Sequence, residues 1–263
     1  MTDEPGGEAG AVAAQASPPR AARRRRALGL GAAAVVVLGA LALLVGSGVV
    51  WPGRIFALGH PVRGVDVSSY QGRIDWPVLA GDDLDFAYIK ATEGSSHVDR
   101  RFAANWEGAR ASGVLFGAYH FLSFESSGED QARHIIETVP ADGTLPLAVD
   151  VEYYGEHFAD PPPREEVAAI LDPLIRELTE HYGTPPVIYA TPAAYERYIA
   201  GAYPDCPIWI RSVLVPPSLA DGREWTFWQY SHRDRRAGYD GAEPCIDMNV
   251  FRGSRAELAD LAG

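Results

Sequence analysis

The stretch of residues 145–154 reads Leu-Pro-Leu-Ala-Val-Asp-Val-Glu-Tyr-Tyr, an apolar run that ends in two carboxylates one residue apart. If residues 146–151 form a strand, Asp150 and Glu152 point to the same face and project together from its C-terminal end. Their mutual repulsion, together with desolvation, raises the pKa of one acid while the other stays ionised. Acid-assisted glycoside hydrolysis needs such a pair. An isolated Asp-x-Glu more often marks a strand that ends in a polar loop, so the interpretation depends on the rest of the chain.

Strand-like and helical segments alternate on both sides of this stretch. The strand-like segments are residues 64–68, 85–91, 114–121, 145–154, 187–190, 207–213, 224–231 and 245–251, and helical patterns follow the first five. This alternation predicts an α/β fold with a mostly parallel sheet, closed as a TIM-like (β/α)5(β)3 barrel whose site lies at the strand C-termini. An open doubly wound sheet is the main alternative. It is weakened because no Gly-rich phosphate loop follows the first strand.

The first fifty residues have a different composition. Residues 1–26 are rich in Ala, Gly and Pro and end in a block of arginines, which predicts a disordered tail. Residues 27–50 carry no charge, and as a helix they would extend about 36 Å, enough to cross a hydrocarbon core of about 30 Å. We therefore expect a single transmembrane anchor over residues 27–51, a linker over 52–62 and the barrel domain over 63–263.

The distribution of arginines predicts the orientation of this anchor. Arg20 and Arg23–Arg26 precede the apolar run and only Arg54 follows soon after it, so the N-terminus should be cytoplasmic and the barrel extracellular at the plasma membrane. Trp51 would mark the outer membrane interface. The alternative is a signal peptide cleaved near Ala57-Leu58-Gly59, which would release a secreted protein.

The overall charge restricts the possible partners. The formal net charge is −12 at pH 7, and the exported part is more acidic still because the arginine block precedes it. Such a domain does not bind nucleic acid by neutralising phosphates. A negatively charged polymer is not excluded as a substrate, but its binding would rely on stacking and hydrogen bonds. We expect no cofactor, and a monomer.

The two cysteines, Cys206 and Cys245, both lie in the exported part, where an oxidising compartment allows a disulfide. Each precedes an apolar strand-like run, so both could lie at one end of a barrel, and we expect them to be bridged. Two unpaired thiols are the alternative. No metal-ligand spacing is present, so we expect no metal site.

Eight short motifs occur in order, and together they resemble glycoside hydrolase family 25, the Chalaropsis-type lysozymes. These N-acetylmuramidases cut the β-1,4 bond that follows N-acetylmuramic acid in peptidoglycan. The resemblance extends from about residue 63 to residue 251, and each motif is weak by itself. The motifs are GVDVS at 64–68, YQG at 70–72, IDW at 74–76, FAYIKATEG at 86–94, GAYHF at 117–121, DVE at 150–152, WQYS at 228–231 and IDMN at 246–249.

The resemblance implies roles for four acids. Glu152 would be the general acid that protonates the leaving oxygen, and Asp150 would stabilise the oxazolinium formed by the substrate's N-acetyl group or position a water. Asp66 and Asp247 match two further acids of the family's site, which would bind sugar or tune pKa values. A ring of carboxylates raises the pKa of a proton donor, in agreement with this assignment. The resemblance also favours net retention through the acetamido group, although inversion remains possible.

Aromatic residues on or just after the strands are candidates for sugar platforms. They are Tyr119, Tyr154, Tyr189, Trp209 and Trp228, and Gln229 belongs to the same motif as Trp228. Core packing is the alternative role for each of them. Tyr119 and Tyr189 are expected at the rim, since their strands end there. His120, beside two core aromatics, is expected to be a hydrogen-bonded structural residue, and Lys90 is expected to pair with Glu93.

The sequence departs from the family pattern after Trp209-Ile210, where Arg211-Ser212-Val213 follow. This departure leaves a second hypothesis open, a catalytically weak barrel that binds glycan within a cell-envelope assembly. A hydrolase of another polysaccharide is a third. The leading hypothesis is a membrane-anchored peptidoglycan hydrolase, because a glycan-binding protein has no need of a costly acidic cluster.

Overall fold

The computed structural model describes residues 20–47, 50–81 and 83–262. The chain divides into two units, residues 1–50 and residues 51–263. Residues 1–19, where we expect most of the N-terminal tail, lie outside the described residues.

The described residues of the first unit include one long helix, α1 (Arg20–Gly46). Its segment Leu28–Gly46 has a mean hydropathy of 2.6, and it is long and apolar enough to cross a membrane. A helix of this kind near the N-terminus is a membrane anchor or an export signal. The helix already begins at Arg20, before the expected end of the tail at residue 26. Arg and Ala are good helix formers, and they extend the apolar helix in the N-terminal direction.

The second unit is an eight-stranded barrel, as the alternation of segments predicted. The strand order is β1, β9, β8, β7, β6, β5, β4, β2, and pairing between β1 and β2 closes the sheet. The short β3 pairs with β2 alone. The strands are β1 (Arg63–Val67), β2 (Phe86–Glu93), β3 (His97–Val98), β4 (Leu115–Phe121), β5 (Ala148–Val151), β6 (Val187–Ala190), β7 (Ile208–Arg211), β8 (Phe227–Asp234) and β9 (Ile246–Phe251).

The barrel is mixed rather than wholly parallel. Neighbouring strands pair in parallel from β1 through β2, β4, β5, β6 and β7 to β8, whereas β9 runs antiparallel to both β8 and β1. The start of β9 therefore lies at the mouth where the other barrel strands end. For this reason a residue near the beginning of β9, such as Asp247, can face residues at the ends of β1 and β5.

Helices cover the outside of the barrel, and aromatic side chains fill its inside. Inside, the rings of Tyr88 and Trp209 stack at 4.8 Å and Phe227 packs edge-on against Tyr88. Outward-facing strand residues form the larger core with the helices. The helices after the first strand are α3 (Trp76–Ala80), α4 (Phe102–Ser112), α5 (Gly128–Thr138), α6 (Arg164–Tyr182), α7 (Pro192–Ala194) and α8 (Arg255–Ala262), and single turns lie at Ser69–Gln71, Gly155–Phe158 and Tyr195–Ile199.

The segment expected to be a linker is instead part of the barrel unit. Residues Pro52–Ala57 form a short helix, α2, with proline in its first turn, a position where the missing N–H costs nothing. Trp51 is buried, and its ring meets His232 edge-on at 5.2 Å. The expected linker over 52–62 and the expected role of Trp51 at the membrane interface are therefore corrected.

The expected disulfide is not formed. Cys206 and Cys245 are both free thiols. Cys206 precedes β7, which starts at the end of the barrel opposite the mouth, whereas Cys245 precedes the antiparallel β9 and so lies at the mouth. The expectation failed because it treated both strands as parallel.

Candidate active site

A cleft of about 380 Å³ opens at the C-terminal mouth of the barrel. All four acids singled out from the sequence line it, although they come from β1, from β5 and the residue after it, and from β9. Aromatic and amide side chains complete the walls. Its lining residues include Asp66, Gln71, Lys90, Tyr119, Asp150, Glu152, Tyr189, Trp209, Gln229, His232, Cys245 and Asp247.

Asp150 and Glu152 project into the cleft from the end of β5, as the i, i+2 spacing predicted. Asp150 is buried, and burial followed by the charge of Glu152 raises its pKa well above the usual range. Burial also raises the pKa of Glu152, an effect that the cation of Arg211 opposes. Two acids so close together share their protons, so the raised pKa values belong to the pair. Asp150 Oδ1 accepts no hydrogen bond from any residue that the structure describes.

Asp66 and Asp247 form a second carboxyl pair on the opposite wall. Burial raises the pKa of both, and the charge of Asp66 and a hydrogen bond to it raise that of Asp247 to about 9. Asp66 Oδ2 accepts hydrogen bonds from Gln229 Nε2 at 3.0 Å and Asn249 Nδ2 at 2.8 Å. Asp66 therefore has the donors that stabilise a carboxylate, and Asp247 keeps the proton at neutral pH.

A chain of buried polar contacts holds this second pair in place. Tyr189 donates its hydroxyl to Gln229 Oε1 at 3.0 Å, and Trp209 Nε1 donates to Asn249 Oδ1 at 2.8 Å. The side-chain amides of Gln229 and Asn249 thus each accept one hydrogen bond and donate another to Asp66. The sequence reasoning selected Gln229 but missed Asn249. Its spacing of two from Asp247 on a strand was the available signal, because such residues share a face.

The structure separates the aromatic candidates into two groups. Tyr119, Tyr189 and Trp209 line the cleft, with Tyr119 half-buried and Trp209 almost fully buried at its floor. Trp228 does not line it. Since side chains alternate along β8, Gln229 points inward and Trp228 points outward, where its ring packs with Tyr230 and Nε1 donates to the Ser212 carbonyl oxygen at 2.6 Å. The expected contact of Trp228 with substrate is therefore corrected.

Tyr154 is likewise outside the cleft. Its hydroxyl accepts a hydrogen bond from the Phe124 backbone N–H at 2.7 Å and bonds to Glu125, and its ring stacks on Phe124 at 5.4 Å. These contacts attach the loop after β4 to the loop after β5. Tyr154 is thus a packing residue of the rim.

Basic groups stand beside the acids. Lys90 pairs with Glu93 at 2.7 Å, as expected, and lies 5.0 Å from the centre of the Phe121 ring. Arg211, where the sequence departs from the family pattern, donates from Nη2 to His232 Nδ1 at 3.4 Å. The charge of Arg211 lowers the pKa of Glu152 and of Asp66. The unusual residue therefore acts on the acids electrostatically. His232, which lines the cleft, was not selected from the sequence.

His120 is buried beneath the cleft, as expected for a structural residue. Thr92 Oγ1 lies 2.8 Å from its Nδ1, and Gln131 Oε1 lies 2.9 Å from its Nε2. Burial lowers its pKa to about 4, so the ring is neutral at pH 7. Its two nitrogens are both occupied, which leaves it no role as a base.

The barrel carries four carboxyl groups at the mouth where most of its strands end. Carboxyl groups in this position are typical of barrel glycosidases that use acid catalysis. Residues 65–239 match the sequence profile described as Glycosyl hydrolases family 25, and the chain belongs to this family.

Proteins with related sequences and structures agree with this membership. The chain is 32% identical over 222 residues to "Lysozyme M1" of Streptomyces globisporus, covering 76% of this chain and 71% of the relative. It is 36% identical over 217 residues to the "Uncharacterized protein YegX" of Escherichia coli K12, covering 79% and 77%. The solved family 25 glycosyl hydrolase of Bacillus anthracis is 48% identical with a TM-score of 0.74, covering 78% of this chain and 95% of that one. The bacterial lysozyme of Streptomyces coelicolor is 31% identical with a TM-score of 0.69, covering 76% and 96%.

Proposed function

We propose that this protein is a peptidoglycan hydrolase, an N-acetylmuramidase that cleaves the β-1,4 bond between N-acetylmuramic acid and N-acetylglucosamine. The observation that carries the proposal is the convergence of Asp66, Asp150, Glu152 and Asp247 on one cleft. Burial raises the pKa of each of these acids, and a proton donor that works near neutral pH needs such an environment. Membership of family 25 supports the substrate class.

Glu152 is the proposed general acid. It lies one residue beyond β5 and is less buried than Asp150, so it can reach a glycosidic oxygen that enters from the open side. It gives its proton to the leaving oxygen as the bond from C1 to that oxygen breaks. The same residue then accepts a proton from the incoming water, since the reverse proton transfer uses the same position.

Asp150 is the proposed partner of the substrate acetamido group. In this route the acetamido carbonyl oxygen attacks C1 and forms an oxazolinium ion, and water later reopens that ring at C1 with net retention. Asp150 Oδ1, which no described residue serves as a donor, is placed to accept a hydrogen bond from the acetamido N–H. A carboxylate there also stabilises the positive charge that develops on the ring.

Six further residues that line the cleft complete the proposed site: Asp66, Asp247, Tyr119, Tyr189, Trp209 and Gln229. The Asp66 and Asp247 pair supplies hydrogen-bonding groups to a sugar and keeps negative charge near the acid pair. Tyr119 offers a partly exposed ring at the wall, whereas Tyr189 is buried rather than at the rim and packs edge-on against Trp209 at a centroid distance of 4.8 Å. Aromatic rings pair an apolar face with a polar edge, as sugars do.

We further propose that α1 is retained as a single-pass anchor, with the N-terminus in the cytoplasm and the barrel outside the plasma membrane. The arginine block before the apolar segment supports this orientation. Anchoring would confine hydrolysis to wall strands near the membrane. Cleavage of α1 as a signal, which would release the barrel, is the other outcome, and the intact mass of the purified chain distinguishes the two.

Replacement of Glu152 by Gln tests the function directly. We expect the rate of wall clearing to fall by roughly 10² to 10⁴-fold while the protein still folds, because only the transferable proton is lost. Glu156→Gln is the matched control, since Glu156 is exposed on the turn Gly155–Phe158. A barrel that only binds glycan would show no wall clearing by the parent chain, and its Glu152→Gln variant would still bring down peptidoglycan.

Mass spectrometry of the products from purified wall identifies the bond that is cut. A new reducing end on N-acetylmuramic acid supports the proposal, and one on N-acetylglucosamine contradicts it. Turnover of chitin oligomers with none of wall would indicate a different polysaccharide. Asp150→Asn should lower the rate on acetylated glycan relative to the parent chain. On glycan with N-deacetylated muramic acid the variant and the parent chain should have equal rates, because that substrate lacks the acetamido group that Asp150 assists.

A further inference from the structure

Three large apolar side chains near the start of the barrel unit are exposed, and only the buried Ala57 interrupts them in the sequence. Ile55 is 58% exposed, Phe56 48% and Leu58 69%, all on α2 or the turn that follows it. We call these three residues the α2 face. Exposed apolar side chains clustered on one short element generally mark a contact surface.

The α2 face is presented on a fixed support. A Cβ added at Gly53 would lie 2.2 Å from the Tyr230 carbonyl oxygen and 2.7 Å from that of Val213, so α2 lies directly against the barrel backbone. Arg54 Nε pairs with Asp234 Oδ1 at 2.8 Å, and Arg54 Nη2 donates to the Arg233 carbonyl oxygen at 3.0 Å. Because α2 is held in this way, its apolar side chains cannot turn inward to be buried.

A second exposed apolar pair belongs to the loop that α2 touches. Leu214 is 49% exposed and Val215 59%, and they directly follow Val213, whose carbonyl oxygen contacts Gly53. The α2 face therefore has apolar neighbours across the contact between α2 and the loop after β7.

Positive charge is concentrated around the same element, in a chain that is strongly acidic overall. Arg233 and Arg235 are exposed at the end of β8, and the Arg233 guanidinium lies 5.4 Å from the centre of the Trp51 ring. The one acid in these contacts, Asp234, is neutralised by Arg54. An anionic surface repels an acidic domain. The barrel unit can therefore approach such a surface best through the side that carries apolar and basic residues.

The α2 face follows the apolar segment of α1 closely in the sequence. If α1 is the anchor proposed above, the barrel unit that carries α2 is tethered to a bilayer. A free wall strand, which is polar, offers no comparable match to three exposed apolar side chains.

We propose that the α2 face docks on the outer surface of an anionic lipid bilayer, with Ile55, Phe56 and Leu58 entering the interface and Arg233 and Arg235 meeting lipid phosphates. This inference goes beyond the proposed hydrolysis and rests on the proposed export and anchoring of the barrel. Trp51 contacts His232, and His232 lines the cleft. Docking through α2 would therefore hold the cleft close to the bilayer. The cleft could then reach only glycan strands near the membrane.

Photocrosslinking in the full-length protein tests the proposal. Phe56 is replaced by p-benzoylphenylalanine, and the protein is reconstituted in phosphatidylcholine vesicles with or without phosphatidylglycerol. The matched control carries the same group at Phe158, which is 73% exposed on the loop after β5. We expect lipid adducts at position 56 and none at 158, with a higher yield when phosphatidylglycerol is present and a lower one in an Arg233→Gln, Arg235→Gln variant.

Absence of lipid adducts at position 56, or equal adducts at both positions, would overturn the proposal. Replacing Ile55 and Leu58 by Ser provides a second measurement, because these exposed positions tolerate polar residues and the variant should fold while losing the adduct. If the intact mass shows that α1 has been removed, flotation of the shorter chain with the same vesicles tests docking. Flotation with the vesicles that contain phosphatidylglycerol supports the proposal, and no flotation with them contradicts it. Wall hydrolysis is measured separately, so failure of the proposed enzyme activity is distinguishable from failure of docking.

Discussion

Asp66 and Asp247 are direct antiparallel partners across β1 and β9, and their carboxyl groups hydrogen-bond to each other inside the cleft. Such a bond requires one proton between the two groups. Gln229 and Asn249 donate to Asp66, so the proton resides on Asp247. With its pKa raised to about 9, Asp247 keeps this proton at neutral pH.

Asp247→Asn should make stability less dependent on pH. The pKa of Asp247 rises from 3.8 to about 9 on folding, chiefly through burial. Its contribution to stability is therefore complete below about pH 4 and is lost as the pH rises through about 9. An Asn side chain can donate the same hydrogen bond without titrating. Thermal unfolding across this window should show the melting temperature of the parent chain falling relative to the variant, and parallel curves would contradict the shared proton.

Arg211→Gln should move the alkaline limb of the activity profile to higher pH. The Arg211 cation lowers the pKa of Glu152, so its removal lets the acid keep its proton longer. A shift below about one pH unit is expected for a partly solvated charge. Arg133→Gln, which removes an exposed arginine on α5, is the control and should leave the profile unchanged. A shift towards lower pH would exclude this role for Arg211.

Asn249→Ala should destabilise the barrel more than an ordinary surface change. It removes one donor from Asp66 and leaves the buried Trp209 Nε1 without its acceptor. Unsatisfied buried groups cost about 1 to 3 kcal/mol each, so a loss of roughly 2 to 4 kcal/mol is expected in urea unfolding. Replacement of the exposed Asp260 by Ala serves as the control. A loss below 1 kcal/mol would show that the network contributes little.

Trp228→Phe and Tyr119→Phe should separate packing from substrate contact. Trp228 is fully buried outside the cleft, so its replacement should lower the melting temperature and leave KM unchanged. Tyr119 lines the cleft, so loss of its hydroxyl should raise KM with little effect on stability. Kinetics on solubilised wall fragments, read beside thermal unfolding, give both quantities. An altered KM in Trp228→Phe would restore it as a substrate contact.

The barrel and the pair of Asp150 and Glu152 were predictable because they depend on local periodicity, whereas Asp247 was selected through the resemblance to glycoside hydrolase family 25. Asp150 and Glu152 share a face by strand geometry alone, and the alternation of helices and strands determined which ends meet. Trp228 was placed wrongly because a strand motif does not show which of its two faces is the inner one. Gln229, its neighbour, lines the cleft, and consecutive residues of a strand do not share a face. Its contact with substrate stays a prediction.

Long-range features were less accessible to sequence reasoning. The antiparallel direction of β9 decides where Cys245 lies, and no local pattern in residues 245–251 shows that direction. The docking of α2 depends on Gly53, which reads as a flexible residue in the sequence but allows close backbone contact in the structure. Asn249 was missed because its two hydrogen-bond partners, Trp209 and Asp66, are distant from it in the sequence.

The location of Cys245 offers a chemical means of following occupancy of the cleft. Its thiol is free and lines the cavity, whereas Cys206 is buried and its pKa is raised to about 11. A maleimide or iodoacetamide should therefore modify the first thiol selectively. Protection from alkylation would then report bound saccharide, and the attached reagent would plug the entrance without any change to the gene.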